Sequence, residues 1–315
     1  MPRKSAFLAI PIGLLATFVL IRGMGPFDVA LVVFLSGVDN LIVISEKVEK
    51  LDRWLKVYVT AGILIQLVEL VAVPPLIVAL SAWRSPWSVY GLVGQPERYS
   101  ALLETVHPQI VGLGLGFVAP AVMWFIADEK NHAWLVDDHI KRHARRYKVG
   151  TIGVVLGVLA LGSHFAFSWT FMLFGVLGMM AFAAIKFSED KSENSGPRPE
   201  AATWKGFVRV EVFEAALSID MWVGTYSASS HLVDIVLGVL AGVLVMRILT
   251  VNLVKQVKQL PYLASAAHWS LGLLSVTWVI ELWHPAISSW AAVACLIPLG
   301  AGWIHSVLRR RQLAL

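Results

Sequence analysis

Apolar residues run through this chain in stretches of roughly twenty, separated by short polar segments. A helix rises about 1.5 Å per residue, so runs of that length match the hydrocarbon core of a bilayer. The pattern predicts helices near residues 5–22, 27–46, 56–82, 107–127, 149–163, 167–187, 204–226, 231–254, 263–282 and 287–308. The stretch 83–106, "WRSPWSVYGLVGQPERYSALLETV", is too polar to span and reads as a loop with an interfacial piece. The stretch 188–203, "SEDKSENSGPRPEAAT", is charged, carries Pro and Gly, and reads as a flexible linker. The expected fold is all-α, a polytopic membrane bundle of about ten transmembrane helices. Residues 1–24 form a first transmembrane helix, 25–187 one membrane half with a loop at 128–148, and 204–315 the other half.

Composition agrees. Hydrophobic residues make up 57% of the 315 and charged residues 15%, where a soluble domain carries about 25% charged. The basic start and apolar core of "MPRKSAFLAIPIGLLATFVLIRG" fit an uncleaved first helix, since no small-residue cleavage site follows. The lone cysteine, Cys295, lies in the apolar run "AAVACLIPLG", so the chain offers neither an internal disulfide nor a thiolate metal site.

Lysine and arginine set the orientation. With the N-terminus in the cytoplasm, 22 of the 26 fall on the cytoplasmic side and 3 outside, while Arg247 lies within a span. Both termini are then cytoplasmic. The net charge of +5 is accounted for by an anionic inner leaflet and calls for no nucleic-acid partner.

The spans contain polar groups that lipid does not favour. "FLSGVDNLIVIS" carries Asp39 and Asn40, "GILIQLVELVAVPP" Glu69, and "VEVFEAALSIDMWVG" Glu214, Ser218 and Asp220. Arg247 sits in "GVLVMRILTV" and His268 in "ASAAHWSLG". A carboxylate at mid-bilayer costs about 2.5–3.5 kcal/mol on insertion scales. All these charged groups except Asp220 fall within about one helical turn of a common depth. "FLSGVDNLIVIS" and "EAALSIDMWVG" resemble one another and cross in opposite directions. The halves therefore read as two inverted-topology repeats, an arrangement that builds transport sites at the midplane.

Each group also has a plainer reading. Arg247 with one carboxylate is a packing ion pair; His268, Ser218 and Asn40 are interhelical hydrogen bonders. One arginine does not balance four acids, so at least two carboxyls need a proton, water or metal. Carboxylate, amide and hydroxyl oxygens without thiolate favour hard cations such as Mn²⁺, Mg²⁺ or Ca²⁺, with protons as exchange partners. After the fourth span, "ADEKNHAWLVDDHIKRHARRYK" places His139 and His143 four apart, as a solvated helix face also would. No HExxH, GxSxG or Walker loop occurs, and no enzyme is expected.

At these residues the chain resembles the TerC family of bacterial membrane proteins, within the LysE-type transporter superfamily. That family repeats E-x-x-L-S-x-D-N in two inverted helices, the second followed by an arginine-bearing helix. Glu214, Leu217, Ser218 and Asp220 match the second copy, Arg247 the arginine, and Asp39 and Asn40 the first copy. The chain departs at Val33, which replaces the first glutamate, at Ser36, displaced by one, and at Met221, which replaces the second asparagine. In the third span Glu69 lies beside the position corresponding to the arginine. The resemblance implies export of a divalent metal, chiefly manganese, across the bacterial inner membrane, with no permanently bound cofactor. Asp39, Asn40, Glu69, Glu214, Ser218 and Asp220 would be ligands, with Arg247 and His268 as counter-charge or gate. A membrane assembly factor or scaffold, and a small-solute exporter, remain as alternatives.

Overall fold

A computed structural model describes residues 25–48, 51, 54–127, 148–165, 168–193, 203–218, 221–222, 225, 229, 231–257, 260, 262–282 and 288–312. Its helices are α1 (Gly25–Ser36), α2 (Val38–Val48), α3 (Leu55–Ser81), α4 (Pro86–Val93), α5 (Pro96–Ala127) and α6 (Lys148–Phe165). They continue with α7 (Trp169–Glu193), α8 (Trp204–Leu217), α9 (Leu232–Val257), α10 (Leu263–Glu281) and α11 (Ser288–Gln312). No strand occurs among the described residues. The first expected helix, the loop with His139 and His143, most of the linker, and Asp220 lie outside them, as do the side chains of Asp39 and Cys295.

Among the described residues, five helices are long and apolar enough to cross a membrane, namely Leu55–Ser81, Glu97–Ala127, Trp169–Phe187, Leu232–Asn252 and Leu263–Glu281. Their outward faces remain apolar. Leu64 and Val68 on α3, Met180 on α7 and Val233 and Leu237 on α9 are all exposed. Surfaces of that kind are costly in water and ordinary in lipid, so the protein is helical and suited to a bilayer.

Four boundaries differ from expectation, each for a visible reason. The segment 96–106 is helix, not loop. Tyr99, Leu102 and Val106 are buried at three- and four-residue spacing while Glu97, Arg98 and Glu104 point to solvent, so α5 begins as an amphipathic turn on Pro96. Helix α7 runs to Glu193, six residues into the expected linker. The second span is interrupted at Gly37, although Gly37 N still bonds Val33 O at 3.1 Å and Leu41 N bonds Gly37 O at 2.8 Å. In the seventh span α8 ends at Leu217. There Ser218 N reaches back only three residues to Ala215 O, while Met221 and Trp222 are helical and Trp222 N bonds Ser218 O at 3.2 Å.

Helix α9 packs along α1, α2 and α3, while α5 packs on α7 and α10 on α11. The α5–α7 contact depends on glycine: a Cβ at Gly112 or Gly116 would fall on the backbone carbonyl of Phe171 or Gly175. Small residues that let backbones touch are the usual device for packing helices in lipid, where no hydrophobic effect drives them together. Helix α8 lies against α2, α3 and α5, which places its acidic face in the protein interior.

Candidate functional site

Two helices each turn a polar stripe inward, and a third brings a single arginine between them. On α3 the stripe is Tyr58, Gly62, Gln66 and Glu69, spaced four, four and three residues apart and buried throughout. On α8 it is Glu211, Glu214 and Ser218, spaced three and four. Residues so spaced share a helix face. On α9 the buried line through Val239, Val243 and Met246 delivers Arg247, which is 0% exposed.

The stripes meet around the Arg247 guanidinium. Its Nε donates to Gln66 Oε1 at 3.1 Å. Its Nη1 donates to the Tyr58 carbonyl at 2.7 Å and to Glu211 Oε1 at 2.9 Å. Its Nη2 donates to Glu211 Oε2 at 2.8 Å and to Glu214 Oε2 at 3.2 Å. A guanidinium has five N–H groups, and here each has an acceptor. The pair with Glu211 is bidentate, the arrangement that best matches the planar fork to a carboxylate. The guanidinium carbon also lies 4.2 Å from the centre of the Tyr58 ring, a cation–π distance. The Tyr58 hydroxyl reaches Glu214 Oε1 at 3.4 Å.

Gly62 is required by this arrangement. A Cβ there would fall on Arg247 Nη1 and lie 2.6 Å from Glu211 Oε1. The guanidinium occupies the volume a side chain would take.

Glu69 lies on the same stripe, toward the C-terminal end of α3. It is buried, and Trp222 Nε1 donates to its Oε1 at 3.0 Å. It makes no ion pair among the described residues and lies one turn along α3 from Gln66, which holds Arg247. Three carboxyl groups thus gather near one fixed cation. If all were ionised they would leave two negative charges unbalanced in a dehydrated interior, a costly state. The cluster is chemically suited to attract a second positive charge.

Asn40 and Ser218 join α2 and α8 beside this cluster. Asn40 Nδ2 donates to Leu217 O at 3.0 Å, across the point where α8 ends, and Ser218 Oγ donates to Glu214 O at 2.8 Å. His268 is differently placed. It is only half-buried; its Nδ1 meets the Ala264 carbonyl of its own helix at 2.9 Å and its ring stacks on Phe125 at 3.5 Å. Among the described residues, no group of three or more His, Cys, Asp or Glu side chains stands ready to hold a metal ion. Between Glu211 and Glu214 the guanidinium fills that place.

A model of one protein family matches residues 38–313. The chain belongs to the DUF475 family, proteins of unknown function. No curated protein and no solved structure matches it. The DUF475 match runs from the start of α2 to one residue past the end of α11 and takes in every residue of the Arg247 cluster.

Sequence reasoning did not find Glu211, Gln66, Tyr58 or Trp222. Glu211 had a usable signal, three residues before Glu214 and so on its face. Gln66 had the same relation to Glu69. Tyr58 enters through its backbone carbonyl and ring face, which carry no sequence mark.

Proposed function

We infer that this protein is a polytopic transporter of the bacterial inner membrane, of TerC type, that exports a divalent hard cation, Mn²⁺ foremost. One observation carries the reading: a buried arginine is clamped by two glutamates between apolar helices, with a third carboxyl one turn along α3 from its partner Gln66. Lipid-spanning segments retain such groups mainly along ion and substrate pathways. Glutamate oxygens are the hard ligands a Mn²⁺ ion takes, and buried carboxyls can carry protons in exchange.

The ten-helix topology and the inverted repeat belong to the same proposal. Two features support it. Helix α1 gives way to α2 at Gly37 with the backbone bonds carried through, and α8 ends at Leu217; both points lie near acidic motifs, and Asn40 bridges from one to the other. Discontinuities paired in two inverted halves are the places where midplane sites open alternately to either side. Glu214 and Glu69, with Asp39 and Asp220, are the proposed primary ligands; Asn40 and Ser218 would assist, and Arg247 is the counter-charge.

One observation favours a rival. All five guanidinium N–H groups are satisfied, as in a purely structural ion pair holding a scaffold or assembly factor together. Reconstitution separates the two. The transporter reading expects Mn²⁺ flux into proteoliposomes that Glu214→Gln, Asp39→Asn and Asp220→Asn abolish with folding intact. If wild-type protein carries none of Mn²⁺, Mg²⁺, Ca²⁺ or Zn²⁺, the scaffold stands and the transporter falls.

A further inference from the structure

We propose that Arg247 is a tethered stand-in for the cargo, occupying the carboxylates when no cation is bound so that the empty carrier can return. This inference rests on the transporter reading and specifies the step that makes transport net and not merely one-for-one exchange.

The argument starts from the acceptors. Of the five N–H contacts, three go to carboxylate oxygens of Glu211 and Glu214 and two go to neutral oxygens, the Tyr58 carbonyl and Gln66 Oε1. The neutral pair and the Tyr58 ring all belong to α3, whereas both carboxylates belong to α8. An arriving cation therefore competes with the guanidinium for α8 alone. Arg247 can give up Glu211 and Glu214 while its Nε and Nη1 stay on α3, so displacement does not leave it without partners. A structural arginine would also need those neutral acceptors; what their placement on α3 adds is a resting position for the guanidinium once α8 is given up. Gly62 supplies the space in which the guanidinium sits between the two sets.

The consequence follows from charge. A carrier must pass through an occluded state on both legs of its cycle. Moving uncompensated carboxylates through low dielectric costs several kcal/mol per ion. With a divalent cation bound, the two α8 carboxylates are compensated on the outward leg; with Arg247 returned to them, one of those charges is compensated on the empty leg, and protons on the remaining carboxyls supply the rest. The same competition lowers apparent cargo affinity, because only the fraction of molecules with Arg247 withdrawn can bind.

The test compares net uptake of labelled Mn²⁺ into empty proteoliposomes with exchange into vesicles preloaded with unlabelled Mn²⁺. Wild type should do both, and Arg247→Lys, which keeps a cation, should retain net uptake. Arg247→Gln should lose net uptake by about tenfold or more while exchange persists with its KM lowered by a similar factor. If Arg247→Gln misfolds, Gly62→Ala, whose Cβ would fall on Arg247 Nη1 while every carboxylate stays in place, should show the same split at smaller amplitude. Net uptake that survives in the variant used overturns the stand-in role, and so does loss of uptake and exchange together in a folded variant. Wild-type vesicles with neither activity overturn the transporter reading itself.

Discussion

Arg247 and His268 are both polar residues set in apolar helices, and the structure treats them in opposite ways. Arg247 is fully buried and bonds to residues of α3 and α8, far away in sequence. His268 meets a carbonyl one turn back on its own helix and a single aromatic ring on α5. The first arrangement ties three helices through charge; the second satisfies one side chain locally. A polar residue inside a span is therefore weak evidence for a site. Convergence of several, from helices that need not otherwise meet, is strong evidence.

Four substitutions sharpen or break this contrast, read as loss of stability by thermal unfolding in detergent. Arg247→Met should cost most, about 3–5 kcal/mol, because it leaves Glu211 and Glu214 buried without their cation. Glu211→Gln should follow at about 1.5–3 kcal/mol, since it removes the charged acceptor of two hydrogen bonds but leaves Arg247 paired with Glu214. Gly62→Ala should cost about 1–3 kcal/mol by pushing the guanidinium off its acceptors, although it alters no polar group. His268→Leu should be mildest, about 0.5–1.5 kcal/mol for the lost ring stacking. Equal losses for Arg247→Met and His268→Leu would erase the distinction drawn here. A neutral Gly62→Ala would show that the guanidinium has room to spare.

The helical, membrane-suited architecture was legible because spans announce themselves by length and hydropathy alone. Leu55–Ser81 and Leu263–Glu281 fall within one residue of the expected limits at each end. The early start of α5 was harder. Its first turns are amphipathic, so a reading that searched for lipid-length apolar runs set them aside as loop, though Tyr99, Leu102 and Val106 carry the helical period. The charged centre was half legible. Glu69, Glu214 and Arg247 stood out as charges within apolar runs, and they do gather. Glu211 was overlooked because it lies nearer the end of its run, where a charge costs little and attracts no notice. His268 stood out for the same reason as Arg247 and was placed in the same site. Depth along a span is readable from sequence, but the direction a side chain faces depends on which helices pack together.

That dependence also sets what Gly62 means. In sequence it is one of 24 glycines and has no distinguishing neighbour. In the fold it is the place where a missing side chain admits a guanidinium.

The most direct test of a cation site at this centre is the thermal stability of purified protein titrated with Mn²⁺, wild type beside Glu214→Gln. Ligand at 100 times its dissociation constant adds about 2.7 kcal/mol of apparent stability. The account predicts a saturable rise of that order in wild type and little or none in Glu214→Gln. A wild-type curve that stays flat with Mn²⁺ and with every other divalent cation would contradict it.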